Sequence, residues 1–358
     1  MRRDVCVALM LLLLGALMLP LQTAVADEST VVLEEVAAST RQWTGISISK
    51  SGRTFVSYPR WTKGLPHSVA ELDAAGTPTP FPTREWNSWT GIENPGKRFI
   101  AVQSIFIDAD DHLWVLDTGN PEFKGVIPGG AKLVEIDLAK AEVLNTFLFP
   151  RTVALPDSYL NDVRVDARTR TAFITDSGNG AIVVAYLATQ RYRRLLDNHP
   201  STHAEPDLTI TVAGSPWLRD GKTPQVHADG IALDTAGDML YFQALTGKKL
   251  YRVSTLVLRD PTLDDAAVAA QVQEVAEVGP SDGLLFGPSG KLYLSSIEQS
   301  AIRTLSADGK LAVLATGDEI SWPDSFSADA EGRVYFTTSR IHEGKAPTTV
   351  YKIFRLSQ

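Results

Sequence analysis

The 358-residue sequence contains a single cysteine, Cys6, which excludes an intramolecular disulfide. A fold without that staple must rest on its hydrophobic core, and a chain of this length can bury enough apolar surface to do so. Clusters of Lys and Arg are also missing. The formal net charge is −8, which argues against nucleic acid or anionic lipid as a partner. Helical periodicity is scarce: only "DDAAVAAQVQEVAEV" around Ala266 carries it, and its second half reads equally well as a strand. No Ser sits in a G-x-S-x-G context, and no His–carboxylate spacing marks a triad. "DSGNG" at Asp176 leaves a strand but opens no helix, so it is a β-turn rather than a phosphate-binding loop.

Long apolar runs are absent except at the start. Arg2 and Arg3 precede Val5–Leu19, about fifteen apolar residues, short of the roughly twenty that a spanning helix needs. Ala24-Val25-Ala26 then offers small residues to a signal peptidase. Residues 1–26 are therefore expected to be a cleaved secretory signal, and 27–358 one exported domain, secreted or periplasmic. Loss of Arg2, Arg3 and Asp4 takes the charge from −8 to −9. The product is expected to be monomeric, with a small-molecule ligand and no membrane contact.

What is present is repetition. "TGISISKSGRTFVSY" from Thr44 is followed by "QSIFIDADDHLWVLD" from Gln103 and "NDVRVDARTRTAFITD" from Asn161. "DGIALDTAGDMLYFQAL" from Asp229, "DGLLFGPSGKLYLSS" from Asp282 and "DSFSADAEGRVYFTT" from Asp324 complete the set. Each is a short alternating strand, a polar turn and a strand rich in Val, Leu, Phe or Tyr, the pattern of a hairpin. Further strand candidates follow each hairpin, among them "KLVEIDL" and "AIVVAYL". Repeated four-strand units predict an all-β, six-bladed β-propeller. "VVLEEV" from Val31 precedes the first phrase and is expected to join the last blade from outside, closing the ring.

In a propeller the first strand of every blade lines the central channel and starts at one face. The residues that open the six phrases, Thr44, Gln103, Asn161, Asp229, Asp282 and Asp324, are then expected to form a polar ring at one mouth. Two residues earlier stand Tyr159, His227 and Trp322. Three carboxylates in one register repel one another unless a cation is bound or a proton is shared. Two occupants are chemically reasonable. An aromatic or cationic organic molecule would pair with the acids and stack on Tyr159 and Trp322. A hard cation, Ca²⁺, would instead take Asn161, Asp229, Asp282 and Asp324 as ligands. Asp229 with His227 or Asp282 also forms a conceivable acid–base pair for catalysis. Asp108 and His112 are expected to be turn residues. The insertion around Trp217 arrives just before His227 and either folds over the mouth or forms a passive loop.

"FVSYPRW", "SVAEL", "WNSW", "VQSIFIDADDHLWVLDTG", "KLVEIDL", "SYLNDVRVD", "ITDSGNGAIVV", "SDGLLF" and "WPDSFSADAEGRVYFTT" occur in that order from about Gln42 onward. Together they resemble the major royal jelly/yellow family in its bacterial, dopachrome-tautomerase-related form. The resemblance implies a six-bladed propeller, with dopachrome-tautomerase-like activity as one expectation. More distantly, "NDVRVD" and "HADGIALD" are similar to the metal-binding strand starts of gluconolactonase-like propellers, which implies a Ca²⁺-dependent hydrolase as the alternative. Thr44 stands where that group has Glu, and Gln103 where it has Asn. The signal is directly testable: the secreted protein is expected to start near Asp27, and an intact-mass measurement that finds residues 1–26 retained would overturn this.

Overall fold

Each repeated phrase folds as the two innermost strands of a four-stranded antiparallel sheet, and six such sheets form the blades of a β-propeller. The computed structural model describes residues 31–344 and 350–357, so the signal expected at 1–26 lies outside the described residues. From the inside outward, blade 1 comprises Ile46–Ile48, Thr54–Ser57, Val69–Leu72 and Pro78–Pro80, and blade 2 comprises Val102–Ile107, His112–Asp117, Lys132–Asp137 and Glu142–Leu148. Blade 3 comprises Leu160–Asp166, Thr171–Asp176, Ala181–Tyr186 and Arg191–Leu195, and blade 4 Ala228–Leu233, Met239–Ala244, Lys249–Ser254 and Gln273–Glu277. Blade 5 comprises Leu284–Phe286, Leu292–Ser296, Ala301–Leu305 and Leu311–Thr316. Blade 6 takes Pro323–Ala328, Val334–Thr338 and Tyr351–Ser357 from the C-terminal end and Val32–Ser39 as its outermost strand. The ring therefore closes non-covalently, as the early strand candidate predicts. The ambiguous stretch near Ala266 resolves into a short helix, Asp265–Ala269, and the outer strand of blade 4.

Each gap between neighbouring blades holds its own apolar cluster. Phe55, Val69 and Phe81 of blade 1 meet Val102, Ile105 and Val115 of blade 2, for example, and Ile46 and Val56 meet Tyr335 and Ile353 of blade 6. This is why the strands alternate so regularly: one face fills the gap ahead and the other the gap behind. The inner hairpins turn on acidic caps. Asp108 Oδ1 accepts from the amides of Asp110 and His112, and Asp329 Oδ1 from those of Glu331 and Arg333. Asp108 Oδ2 also receives Trp114 Nε1, at 2.7 Å, so Asp108 is the turn residue the sequence indicates.

At the start of the inner strands the ladder is irregular. Blades 3, 4 and 6 skip two residues there, between Leu160 and Val163, Ala228 and Ile231, and Pro323 and Phe326. A hydroxyl from the second strand fills the irregularity and ties it to the next blade. Thr175 Oγ1 accepts from the Asp162 amide and donates to Asp229 O at 2.7 Å. Ser57 Oγ accepts from the Gly45 amide and donates to Gln103 O, while Thr337 Oγ1 accepts from the Ser325 amide and donates to Thr44 O. Where no such donor bond forms, the backbones come closer still. A Cβ on Gly283 would lie 1.7 Å from Asp324 O, and one on Gly230 would lie 2.4 Å from Asp282 O. Glycine at these two positions is a requirement of blade-to-blade approach. Gly283→Ala is expected to destabilise the protein by about 3 kcal/mol or more in denaturant unfolding. Gly290→Ala in the same blade, with nothing within 4 Å, is expected to cost only its positive-φ penalty of about 1–2 kcal/mol. Equal costs for the two would refute the close-approach argument.

Candidate functional site

The irregular strand starts aim side chains at one mouth of the channel, where a cavity of about 1030 Å³ is found. Local kinks of this kind are a recurrent means of re-aiming a side chain toward a site. Of the six residues that open the repeats, Gln103, Asn161, Asp229, Asp282 and Asp324 line the cavity, and all five are buried. Thr44 does not line it: its hydroxyl is spent on Gln103 O at 2.9 Å, joining blade 1 to blade 2. The expected ring of six is thus a ring of five around an interblade hydrogen bond.

Beneath the ring lie two groups that the repeats alone did not single out. Asp162 and Arg164 follow Asn161 on the same inner strand, and both are buried, with 3.9 Å between their charged atoms. Arg164 Nη2 donates to Leu284 O of blade 5 at 2.8 Å, skipping blade 4, so the guanidinium crosses the channel. It also lies 5.6 Å from the ring centre of Phe106. Among the described residues, the channel holds four buried aspartates and one arginine, and that arginine serves Asp162.

Protonation follows from this imbalance. Burial pushes the carboxyls of Asp229 and Asp324 well above the usual range, and their mutual proximity to Asp282 adds to it. Asp282 is pushed up to about 7 by burial, and the hydrogen bond from Trp322 Nε1 to its Oδ2, at 2.6 Å, draws it back down. Asp162 is also raised by burial, with Arg164 opposing. Among the described residues, none of Asp229, Asp282 and Asp324 has an ion-pair partner, whereas Asp162 has Arg164. Three such groups cannot all be ionised near neutrality without a cation.

The cavity wall is aromatic. Phe123 stacks on Tyr159 at 4.9 Å between ring centres, and Trp61 on Phe123 at 6.0 Å. Tyr159 is fixed at both ends of its hydroxyl, accepting from Trp61 Nε1 at 2.6 Å and donating to Gln103 Oε1 at 2.9 Å. Trp61 and Phe123 come from blade 1 and blade 2 loops with no repeat signature, so periodicity could not mark them. Trp322 lines the cavity but is fully buried, wedged between the parallel ring of His342 and the edge of Trp217. Its polar end is turned to Asp282, which makes it a positioning group for that carboxyl. The insertion before blade 4 folds over the mouth. Trp217, Leu218, Arg219, Pro224, Gln225 and Val226 line the cavity, and Trp217 anchors the insertion among Ile210, Val212, Leu245, Ile297 and Trp322.

The structure corrects two further expectations. His227 is not brought to the cavity. Its Nδ1 accepts the Ala204 amide at 3.0 Å and its ring packs on His203 at 4.5 Å, so it is no acid–base partner for Asp229. Among the described residues, no group of three or more His, Cys, Asp or Glu side chains is gathered as a metal ion requires. Asn161, Asp229, Asp282 and Asp324 share the cavity, but they are not gathered as a preformed Ca²⁺ cage.

A sequence model of the family described as major royal jelly protein matches residues 100–342. "Protein yellow" of Drosophila melanogaster and that of Drosophila erecta are each 24% identical over 228 residues, 59% of this chain and 40% of theirs. The chain thus spans well under half the length of these relatives. Among solved structures, a gluconolactonase from Xanthomonas campestris superposes with a TM-score of 0.57 at 14% identity, covering 91% of this chain and 90% of its own. A PQQ-bound aldose sugar dehydrogenase from Streptomyces coelicolor gives 0.54 at 12%, covering 92% and 98%. At such identities the two structures establish the fold alone. The family match, covering most of the propeller, establishes more: the chain belongs to the major royal jelly protein family.

Proposed function

We infer that the protein is exported and binds a small organic cation with an aromatic body at this mouth. Its ammonium group would sit among Asp229, Asp282 and Asp324, and its body against Tyr159 and Phe123. One observation carries this reading: three buried carboxyls without a basic partner lie under an aromatic wall. A cation there replaces the protons that the acids otherwise retain, and an aromatic face adds cation–π attraction. Asp282, close to neutrality, and its neighbour Asp229 are also suited to give and take a proton, so a dopachrome-tautomerase-like isomerisation extends the same reading. The Ca²⁺-dependent lactonase alternative is less well supported, because it rests on a metal-ligand set that these side chains do not form.

Calorimetry with simple aromatic amines tests binding. Wild-type protein is expected to bind them with proton release, seen as a heat that depends on the buffer's ionisation enthalpy, and to be indifferent to chelator. Asp229→Asn is expected to weaken binding by about tenfold or more, since it removes one buried member of a charge pair. Absence of any heat or melting shift across the amine panel would overturn the proposal.

A second test needs no ligand. Because the folded-state pKa of Asp282 lies above the unfolded value of about 3.9, the native state binds the extra proton. The contribution of Asp282 to stability is then fully present below about pH 4 and is lost as pH rises through about 7. Asp282→Asn keeps an acceptor for Trp322 and removes the titration. The variant is expected to be more stable than wild type at pH 8 by about 1–4 kcal/mol, with a flatter pH–stability profile. A wild-type profile that rises from pH 5 to 8 and is unaltered by the substitution would contradict the buried-acid assignment.

A further inference from the structure

The buried end of the cavity is acidic, but its outer end is not. Arg41, Lys63 and Arg219 are exposed side chains that line the same cavity, and among the described residues none of them is in an ion pair. The acidic groups lining the outer part are Asp157 and Glu122, and Glu122 is bridged by Lys124 at 2.9 Å. For a chain of net charge −8, this basic rim over an acidic floor is a local reversal. Arg219 is the best placed of the three. Its backbone is fixed by a tight turn: the Arg219 and Lys222 amides each donate to the other's carbonyl, with Asp220 and Gly221 in the left-handed region between them. Two residues earlier, Trp217 is buried against Trp322, so the turn is anchored to the group that holds Asp282. The Arg219 guanidinium lies 5.8 Å from the ring centre of Phe123, at the outer end of the stack that leads through Tyr159 toward the carboxyls.

We propose that Arg219, supported by Lys63 and Arg41, forms an anion subsite, and that the ligand is bipolar: an ammonium at one end of an aromatic body and a carboxylate or similar anion at the other. This rests on the amine reading above and narrows it. A purely cationic molecule entering the mouth meets three like charges before it reaches the acids. A molecule with an anion at its trailing end exchanges that repulsion for attraction, and Arg offers a planar pair of donors that match a carboxylate. Both charges are then satisfied along one axis, with the ring of the ligand on Phe123 and Tyr159. An α-amino acid does not fit this pattern, because its two charged groups are carried by the same carbon at one end of the molecule.

The matched pair para-(aminoethyl)benzoate and phenylethylamine tests the proposal, with full-length mature protein and calorimetry at low and physiological salt. The aminoethylbenzoate is expected to bind about two- to fivefold more tightly, the advantage of one partly exposed ion pair, and the ratio is expected to shrink as salt is added. In Arg219→Gln, at an exposed position and with thermal melting as the check on the fold, the ratio is expected to fall toward one. If phenylethylamine binds as tightly as its carboxylated counterpart, or the ratio survives in Arg219→Gln, the anion subsite is refuted while the amine reading stands. If neither molecule binds, the amine reading itself fails and the subsite with it.

Discussion

Everything at the channel mouth depends on how closely the inner strands approach one another. A propeller has to bring its innermost backbones together at the axis, where no room is left for side chains between blades. The molecule meets this constraint with hydroxyls at some seams and glycines at others. Thr175, Ser57 and Thr337 each fill an irregular strand start and reach the carbonyl of the next blade's first residue. Gly230 and Gly283 let that carbonyl approach the backbone directly. In both devices the residue that opens the strand is gripped by its main chain. Except at Thr44, whose hydroxyl is taken by the next blade, its side chain is left to line the mouth.

Gripped in this way, the side chains can be of almost any kind, and here they are mostly acids. Isolated burial of a carboxylate is costly, and the usual resolution is pairing or protonation. Asp162 follows the first route through Arg164, which also reaches across to Leu284 O of blade 5. Asp229, Asp282 and Asp324 are pushed toward the second, since among the described residues none of them has an ion-pair partner. Elsewhere the same chain pairs its buried acids without exception at the equivalent ends of two second strands: Asp117 with Lys132 and Asp176 with Arg194, each at 2.6 Å. The contrast shows that the chain has the means to neutralise a buried aspartate. At the mouth it does not use them.

How much of this was legible beforehand follows from which features repeat. The blade count and five cavity-lining residues derive from phrases written six times, and a register shared by six units is a strong signal. The closing strand was read from the apolar segment that precedes the first phrase. Thr44 shared that register but lacks the reach of the longer side chains, so its hydroxyl is consumed at the blade seam. Tyr159, His227 and Trp322 occupy equivalent positions two residues earlier, yet only two of them face the cavity. The His227 ring is captured by Ala204 and His203, which belong to the long connection between blades 3 and 4. Trp61, Phe123 and Arg219 lie on loops without internal copies, and their convergence depends on chain separated by more than fifty residues. Asp162 and Arg164 were in plain view beside Asn161, but only the third blade carries them. A channel-crossing contact has no one-dimensional signature.

The same reasoning explains why shared architecture says little about shared chemistry here. The gluconolactonase from Xanthomonas campestris follows nine-tenths of this fold at 14% identity. Such divergence is tolerated because the blades are held by backbone pairing, by apolar alternation and by small residues at the seams, none of which fixes the ring side chains. What a propeller of this kind binds is set by its ring positions, together with whatever loops fold over them, rather than by the blades. In this chain those positions present acids, amides and a buried Tyr hydroxyl, and the loops add aromatic faces and a basic rim. Replacing ring side chains one at a time leaves the gripping carbonyls in place, so function at the mouth can change while the fold persists.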